Sequence, residues 1–243
     1  MQLTPIGQRD QGIQIAQPVQ PAQAESSTSS KKVTLSIARE GESLLDFRKL
    51  VYEQYAKRGW LDMSQYPNGI VTDEFDTTSD ALVIRSNEEI VAGMRIVRDG
   101  GNGFPHEEEL QITKLITEAA QGSDALKLLA RTPRSRMAEI TKVVGKKRQR
   151  MLTFDIIKCL YWYAKTSGVD LYVMVIDMDF FVLCDTLGIP ISPVGTPVYC
   201  EGSWTIPAIT QPSRYEREIS KKSPQGWSYI AIPDNLDTTW TVH

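Results

Sequence analysis

The segment from residue 137 to residue 151 constrains the fold most, because it joins a strand, a charged turn and the start of a helix. Met137–Val144 is predicted to be a strand that carries one carboxylate, Glu139. After Gly145 the turn holds four cations: Lys146, Lys147, Arg148 and Arg150. A helix is predicted to begin at about Met151, and the N-terminus of a helix suits a phosphate-bearing group. An anion site beside a candidate base indicates group transfer from a phosphorylated carrier.

Hydrophobic periodicity predicts an α/β chain with a mixed central sheet. Apolar residues recur at helical spacing over Ser43–Arg58, and two strands, Ala81–Arg85 and Ile90–Val97, are joined by a hairpin loop. Leu171–Ile176 is a continuous apolar run, which predicts a central strand covered on both faces. The other expected elements are strand Val33–Ala38, helices Glu107–Glu118, Ser123–Leu129, Met151–Thr166 and Phe180–Leu187, and edge strands Val198–Cys200 and Trp204–Ala208 among loops.

The first 32 residues differ in composition from the rest of the chain. They are rich in Gln, Ser, Pro and Ala and contain few large apolar side chains. Because such a segment buries too little surface to offset its ordering entropy, we expect a disordered tail at 1–32 and one folded domain at 33–243. No apolar run approaches the roughly 18 residues of a membrane span. The N-terminus also lacks the hydrophobic core of an export signal.

Charge and cysteine content favour a cytoplasmic protein without a nucleic-acid partner. The net charge is -3, so any anion binding must come from a local patch. Cys159, Cys184 and Cys200 form no CxxC pair, which is typical of reduced thiols in the cytoplasm. Cys184 lies in an apolar helical pattern with no histidine nearby in sequence, so we expect an inert core thiol rather than a nucleophile.

Metal and histidine chemistry are not expected. The sequence contains only two histidines, His106 and His243, which argues against a histidine-based catalytic dyad or a zinc site. Asp177 and Asp179 could bind a divalent cation. However, two acids after a strand are more often a solvated loop and a helix cap.

Four short motifs, in order along residues 48–142, resemble those of the autoinducer synthases (acyl-homoserine lactone synthases). They are Arg48 with Tyr52 and Trp60, Asp73 with Asp76, Gly93-Met94-Arg95, and Glu139-Ile140-Thr141-Lys142. The resemblance implies the GNAT-like (acyl-CoA N-acyltransferase) fold. In that fold the fourth strand, here Met137–Val144, splays from the fifth, Leu171–Ile176, and the wedge takes the pantetheine arm of the acyl donor.

Two departures refine the resemblance. Thr141 and Lys142 stand where lactone synthases have Ser and Arg, so the chain is more similar to the FeeM-like N-acyl amino acid synthases, which acylate an amino acid. Coenzyme-A-dependent GNAT enzymes carry glycines after the fourth strand, which let backbone N–H groups approach the diphosphate. Residues 146–151 contain no glycine. A single phosphate and an acidic acyl carrier protein suit this basic turn better, and no tightly bound cofactor is expected.

The resemblance also suggests roles for individual residues. Glu139 is expected either to act as the base for the amine, directly or through water, or to pair with Arg95 and brace the sheet. Arg95, named with Glu139 as a catalytic candidate, is expected to be buried among carboxylates. The expected substrate-binding residues are Arg48, Tyr52, Trp60, Asp73, Asp76, Thr141 and Val143, although Tyr52 and Trp60 also suit a core and Arg48 a helix surface. Lys146, Lys147, Arg148 and Arg150 are expected to contact the carrier protein and its phosphopantetheine, although such a run also suits a solvated turn.

These observations lead to one hypothesis with two alternatives. We expect an N-acyltransferase that moves a long-chain fatty acyl group from acyl carrier protein to the amine of an amino acid. Backbone N–H groups near a bulge in the fourth strand are expected to polarise the thioester carbonyl. The alternatives are an acyl-homoserine lactone synthase that uses S-adenosylmethionine, and a non-catalytic protein that binds acyl carrier protein.

Overall fold

The architecture comes from a computed structural model, which describes residues 33–101, 103–107, 122–146, 150–200 and 202–240. The tail expected at 1–32 lies outside the described residues, as does most of the helix expected at 107–118. None of the described helices has the length and apolar character that crossing a bilayer requires.

Eight strands form one mixed sheet. They are β1 (Val33–Ala38), β2 (Ser79–Ser86), β3 (Glu89–Arg98), β4 (Met137–Gly145), β5 (Leu171–Asp177), β6 (Ile191–Pro193), β7 (Val198–Cys200) and β8 (Ser203–Thr210). Their order is β1-β2-β3-β4-β5-β8-β6, and β7 also pairs with β8. The β4–β5 pair is parallel, while the other paired strands are antiparallel. The expected mixed α/β architecture is therefore confirmed.

Helices cover both faces of this sheet. They are α1 (Gly41–Arg58), α2 (Asp124–Arg131), α3 (Arg150–Ser167), α4 (Met178–Leu187), α5 (Tyr215–Lys222) and α6 (Pro224–Ala231). Side chains alternate between faces along β2, so Val83 packs with α1 residues such as Phe47, whereas Leu82 packs in the cluster that contains Leu160 of α3. The central strands are thus buried on both sides, as the apolar run in β5 predicts.

The expected splay between the fourth and fifth strands is present. Their parallel pairing runs from Met137 opposite Leu171 to Ile140 opposite Met174 and then stops. Beyond that point β5 stays paired with β8 as far as Asp177. A wedge therefore opens between the carboxyl-terminal halves of β4 and β5.

A bulge in β4 lies at the point where the wedge opens. Gly93 of β3 is opposite Val144 and Arg95 is opposite Thr141, so one β3 residue faces two residues of β4, Lys142 and Val143. Lys142 adopts a left-handed φ of 49°. Bulges bend the strand that carries the extra residue, and here the bend directs β4 away from β5.

Two predictions for the C-terminal third are wrong. Trp204–Ala208 was expected to be an edge strand, but β8 lies inside the sheet, with β5 on one side and β6 and β7 on the other. On the side of β8 that faces away from β5, β7 pairs with it up to Thr205 and β6 pairs with it from Ala208. Pro207 lies in the gap between these two partners, where a missing backbone N–H is tolerated. The prolines and scattered aromatic residues after Gly188 predict loops, but this region also contains α5 and α6, each eight residues long.

The cap interpretation of Asp177 is confirmed. Its side chain accepts hydrogen bonds from the backbone N–H groups of Asp179 (3.1 Å) and Phe180 (3.2 Å), which starts α4 directly after β5. These two bonds satisfy N–H groups that have no partner within the helix. The tight strand-to-helix connection places α4 over the wedge.

Candidate active site between the fourth and fifth strands

A mostly apolar cavity of about 170 Å³ fills the wedge. Residues 140–145 of β4 form one wall and residues 174–177 of β5 form the other. Helix α3 contributes Ile156 and Leu160, and helix α4 contributes Phe180 and Cys184. Side chains of this kind favour an alkyl chain, because burying a methylene contributes about 0.8 kcal/mol. The cavity suits a fatty acyl group.

The β4 wall also offers backbone groups. After Ile140 the strand is no longer paired with β5, and the bulge at Lys142 and Val143 lies on the cavity wall. Thr141 and Val143, two of the expected substrate-binding residues, both line the cavity. Unpaired strand N–H groups beside a bulge can stabilise a developing oxyanion.

Glu139 is completely buried and pairs with a histidine. Its Oε1 lies 2.5 Å from Nδ1 of His106, and its Oε2 accepts the backbone N–H of His106 at 3.2 Å. The carboxylate itself is absent from the cavity wall, whereas His106 is part of that wall. Burial raises the pKa of Glu139, and the hydrogen bond from His106 opposes this effect.

This pair differs from the sequence-based expectation in two respects. Arg95 was the expected pairing partner of Glu139, but the described hydrogen bonds of Arg95 go to other residues. The small number of histidines predicts no histidine dyad, but His106 pairs with Glu139 and lines the cavity. The two residues are 33 positions apart, and sequence alone showed only a histidine just after a glycine-rich loop.

The loop that carries His106 is anchored by Arg134. The guanidinium donates to Asp99 at 2.6 Å and to both carboxylate oxygens of Glu107 at 2.9 and 2.8 Å. It also lies over the ring of Phe104, 4.8 Å from the ring centroid. The hydrogen bonds that Arg134 donates to Glu107 and Asp99 raise its pKa, although burial acts against them. The loop is therefore fixed on both sides of His106.

A buried cluster of charges occupies the neighbouring face of β3 and β4. Arg95, which is 4% exposed, donates to Thr141 at 3.0 Å, to Asp73 at 2.5 Å and to Asp76 at 2.9 Å. Arg48 of α1 lies 3.0 Å from Asp76, and Lys142 lies 2.5 Å from Asp73. The predicted arginine–carboxylate cluster is confirmed, and it joins α1 and the segment around residue 74 to the sheet.

The spacing of the two aspartates has a local explanation. Asp73 caps a short 3-10 helix, Glu74–Thr78, by accepting the N–H of Phe75, and Asp76 accepts the N–H of Asp73 in return. This reciprocal capping box orients both carboxylates toward Arg95. Burial acts to raise the pKa of Asp73, but hydrogen bonds from Arg95 and Lys142 outweigh it and lower that pKa to about 2. Burial and the charge of Arg95 lower the pKa of Lys142.

Of the two aromatic substrate-binding candidates, Trp60 lines the cavity and Tyr52 does not. Trp60 lines the cavity, where it makes a T-shaped contact of 5.6 Å with Tyr55 and lies 4.7 Å from the guanidinium carbon of Arg58. Tyr52 packs with the core residues under α1 instead. Tyr55, one turn of helix later, is the aromatic residue of α1 that reaches the cavity. Arg48 also lies away from the cavity, in the charge cluster.

Of the basic turn, the structure describes only Lys146 in full. Its ammonium group pairs with Glu89 on the β2–β3 hairpin, and its backbone N–H donates to Val91. Lys147 and Arg148 lie outside the described residues, and Arg150 is described only as the first residue of α3. Contact of this turn with a carrier protein therefore stays a prediction.

Cys184 is a buried thiol, as expected. It is fully covered, and burial raises its pKa to about 12. Because the thiolate is the nucleophilic form of cysteine, a pKa this high keeps the side chain unreactive near neutral pH. The residue therefore belongs to the apolar wall of the cavity.

Comparisons with known proteins agree with this geometry. A family model described as "N-acyl amino acid synthase FeeM" matches residues 46–179, more than half of the chain. A search of curated proteins finds no match. Among solved structures, FeeM from uncultured soil microbes has 13% identity and a TM-score of 0.58, covering 79% of this chain and 97% of its own.

Two lactone synthase structures share the fold. BjaI, a CoA-dependent acyl-homoserine lactone synthase, gives a TM-score of 0.60 at 13% identity and covers 84% of this chain and 92% of its own. LasI, an AHL synthase, gives a TM-score of 0.54 at 14% identity and covers 74% of this chain and 89% of its own. The expected GNAT-like fold is confirmed. The chain belongs to the FeeM family of N-acyl amino acid synthases and is an N-acyltransferase.

Proposed function

We propose that the protein transfers a long-chain fatty acyl group from the phosphopantetheine arm of acyl carrier protein to the amine of an amino acid. The observation that carries this proposal is the shape and chemistry of the wedge. Its interior is apolar, whereas the bulge of β4 and His106, which pairs with the buried Glu139, lie at its wall. An acyl chain fits the first part and an amide-forming reaction fits the second.

The thioester carbonyl is proposed to lie against the bulge at Lys142 and Val143. In this position the alkyl chain extends between α3 and α4, and the backbone N–H groups of β4 face the carbonyl oxygen. Donors placed where negative charge develops lower the barrier of acyl transfer, and removing one typically costs about 10²–10³-fold in rate. Fixed backbone donors need no reorganisation during the reaction.

The acceptor is proposed to be an amino acid because the cavity wall holds cations beside its polar part. Arg58 and Lys142 both line the cavity, and Trp60 lies next to Arg58. A carboxylate can bind such cations while the α-amine of the same molecule reaches the thioester carbon. Holding both reactants in one site converts a bimolecular step into an effectively intramolecular one.

The donor is proposed to be acyl carrier protein because of the turn that follows β4. Residues 146–151 carry four cations and no glycine. A carrier protein is acidic and presents a single phosphate, so a basic turn near the wedge would increase its association rate. Coenzyme A would place a diphosphate against bulky side chains.

The test uses purified full-length protein with palmitoyl carrier protein or palmitoyl coenzyme A, a pool of the twenty amino acids, and S-adenosylmethionine in a parallel reaction. Mass spectrometry identifies the product and a thiol reagent measures donor turnover. We expect an N-palmitoyl amino acid, formed faster from the carrier protein. An acyl-homoserine lactone would identify the alternative lactone synthase, and carrier binding without thiol release would support a binding protein; either result would overturn the proposal.

A further inference from the structure

We infer that the ion pair between Lys142 and Asp73 holds the bulge of β4 in the shape that presents its backbone N–H groups to the thioester carbonyl. Lys142 is a positioning residue in this scheme, because it acts through the backbone rather than on the substrate. The inference rests on the proposed N-acyl transfer and deepens it, since it gives the buried charge cluster a task in the reaction. Three observations carry it: the backbone of Lys142, the direction of two consecutive side chains, and the contacts that hold Asp73.

The backbone of Lys142 has a conformation that is unusual for a lysine. Its φ of 49° lies in the left-handed region, where a Cβ atom crowds the following carbonyl oxygen. Asn87, the other non-glycine residue with a positive φ in the described part of the chain, lies in the turn of the β2–β3 hairpin, where this conformation is common. Lys142 lies within a strand, on the wall of the cavity. Such a conformation persists only when the surrounding contacts enforce it.

Two consecutive side chains of β4 reach the same charge cluster. The hydroxyl group of Thr141 accepts a hydrogen bond from Arg95 at 3.0 Å, and the ammonium group of Lys142 donates to Asp73 at 2.5 Å. Arg95 and Asp73 are themselves joined at 2.5 Å. Successive side chains of a regular strand point to opposite faces of the sheet, so without the bulge Lys142 would point away from Asp73. The ion pair therefore favours the bulged backbone over a regular strand.

Asp73 is held by contacts that do not involve Lys142. The capping box with Asp76 fixes it at the start of its short 3-10 helix. One carboxylate oxygen of Asp73 accepts from Arg95 on β3, and the other accepts from Lys142 on β4. Asp76 extends the cluster to Arg48 of α1, 3.0 Å away. The carboxylate of Asp73 therefore connects β3 to the bulge in β4, where the register of the two strands shifts.

The shape of the bulge matters at the moment of attack. As the amine adds to the thioester carbon, negative charge develops on the carbonyl oxygen, and an N–H group stabilises this charge only if it already points at that oxygen. If the bulge relaxed, the N–H groups of Lys142 and Val143 would turn away from the position of the carbonyl. Because Lys142 is engaged by Asp73, the cation that remains for the acceptor carboxylate is Arg58, which enters no ion pair among the described residues.

The first test is independent of turnover. In protein labelled with ¹³C- and ¹⁵N-lysine, Lys142→Arg identifies the signals of Lys142, and their Cα and Cβ chemical shifts report whether its backbone is left-handed or extended. We expect left-handed values in the wild-type chain that move toward strand values in Asp73→Asn. Asp124→Asn, which removes the exposed partner of Lys127 on α2, should leave them unchanged. Strand values in the wild-type chain, or left-handed values that persist in Asp73→Asn, would overturn the inference.

The second test is kinetic, with palmitoyl carrier protein and the amino acid that gives the most product. Lys142→Met keeps an unbranched side chain but removes the ammonium group, so it should lower kcat by roughly 10²-fold, the typical effect of losing one oxyanion donor. KM for either substrate should change little. Lys142→Arg can keep the pair with Asp73 and should retain most of the rate, and Lys127→Met is the matched control on α2. Circular dichroism establishes that each variant is folded, and Asp73→Asn replaces Lys142→Met if it is not.

The kinetic outcomes separate this inference from the proposed function. If the wild-type chain forms no amide, the proposed function fails and the inference fails with it. If the wild-type chain forms the amide and folded Lys142→Met keeps its kcat, only the inference fails. A higher KM for the amino acid at unchanged kcat would show that Lys142 binds the acceptor carboxylate directly, and this result would also contradict the inference.

Discussion

Gly202 and Trp60 contact each other across the rim of the cavity: a Cβ atom at Gly202 would lie 2.5 Å from Cδ1 of Trp60. Trp60 follows α1, and Gly202 lies between β7 and β8, so this contact joins two parts of the chain that are distant in sequence. Both the close approach and the left-handed φ of 80° require glycine at this position.

Gly202→Ala should therefore displace Trp60 from the cavity rim. We expect a loss of about 1–3 kcal/mol in the free energy of unfolding from backbone strain and contact, together with a reduced rate of acyl transfer. Gly41→Ala is a matched control, since Gly41 has a φ of 73° but nothing within 4 Å of the new Cβ. Equal activity losses in the two variants would show that the contact with Trp60 has no functional role.

Asp73→Asn should destabilise the protein in a pH-dependent manner. The folded pKa of Asp73, about 2, lies below its unfolded value of 3.8, so its stabilising contribution is present above pH 4 and is lost as the pH falls toward 2. Because the side chain is one third exposed and partly screened by solvent, we expect Asp73→Asn to lower the free energy of unfolding by roughly 1–2 kcal/mol at pH 7.

Urea unfolding of wild type and Asp73→Asn at a series of pH values measures this effect. The difference in the free energy of unfolding between the two proteins should become smaller as the pH is lowered from 5 toward 2. Asp185→Asn, whose side chain is 77% exposed, should show little difference at any of these values. A pH-independent gap for Asp73→Asn would mean that the carboxylate charge is not the source of the stabilisation.

Ile191→Trp should shorten the acyl chain that the enzyme prefers. Ile191 lies on β6 opposite Thr210, and both residues line the cavity. Each methylene that no longer fits loses about 0.8 kcal/mol, so losing two lowers kcat/KM for the longest chain by roughly tenfold. A series of acyl donors from eight to eighteen carbons, about the range of common fatty acids, tests this. Val182→Trp, at a position that is 58% exposed, should leave the profile unchanged.

Reversing charges in the turn after β4 should weaken the use of the carrier protein. For the double variant Lys147→Glu and Arg148→Glu we expect KM for acyl carrier protein to rise by roughly tenfold at low salt, with a smaller rise at high salt. The double variant should use a short acyl-pantetheine donor, which lacks the carrier protein, as efficiently as wild type does. Lys127→Glu, a reversal at a side chain that is 55% exposed on α2, is the control. Equal effects on both donors would contradict carrier docking at this turn.

Elements with a strong local pattern could be predicted from sequence. The apolar run of β5, the helical spacing of α1 with Gly59 at its end, and the hairpin between β2 and β3 all depend on near neighbours. Helices α5 and α6 could not be predicted in this way. Their buried residues, such as Ile219 and Ile230, belong to the cluster around α3 and gain stability only when that cluster forms.

Within the site, the charge cluster could be predicted from sequence and the histidine pair could not. An arginine in an apolar strand must meet carboxylates when it is buried, so Arg95 implied acidic partners such as Asp73 and Asp76. Glu139 is equally buried and also needs a partner, but the sequence pointed to Arg95 as that partner. The partner was decided by the fold of the loop that Arg134 anchors.

The amino-acid sequence by itself determined the type of sheet, the family motifs and the residues that needed buried partners, because these depend on periodicity and on the cost of burying charge. Only the tertiary structure decided that His106 meets Glu139, that Tyr55 rather than Tyr52 reaches the cavity, and that β8 lies inside the sheet. These arrangements join residues far apart along the chain, and packing of the whole domain selects among partners that are chemically equivalent in sequence.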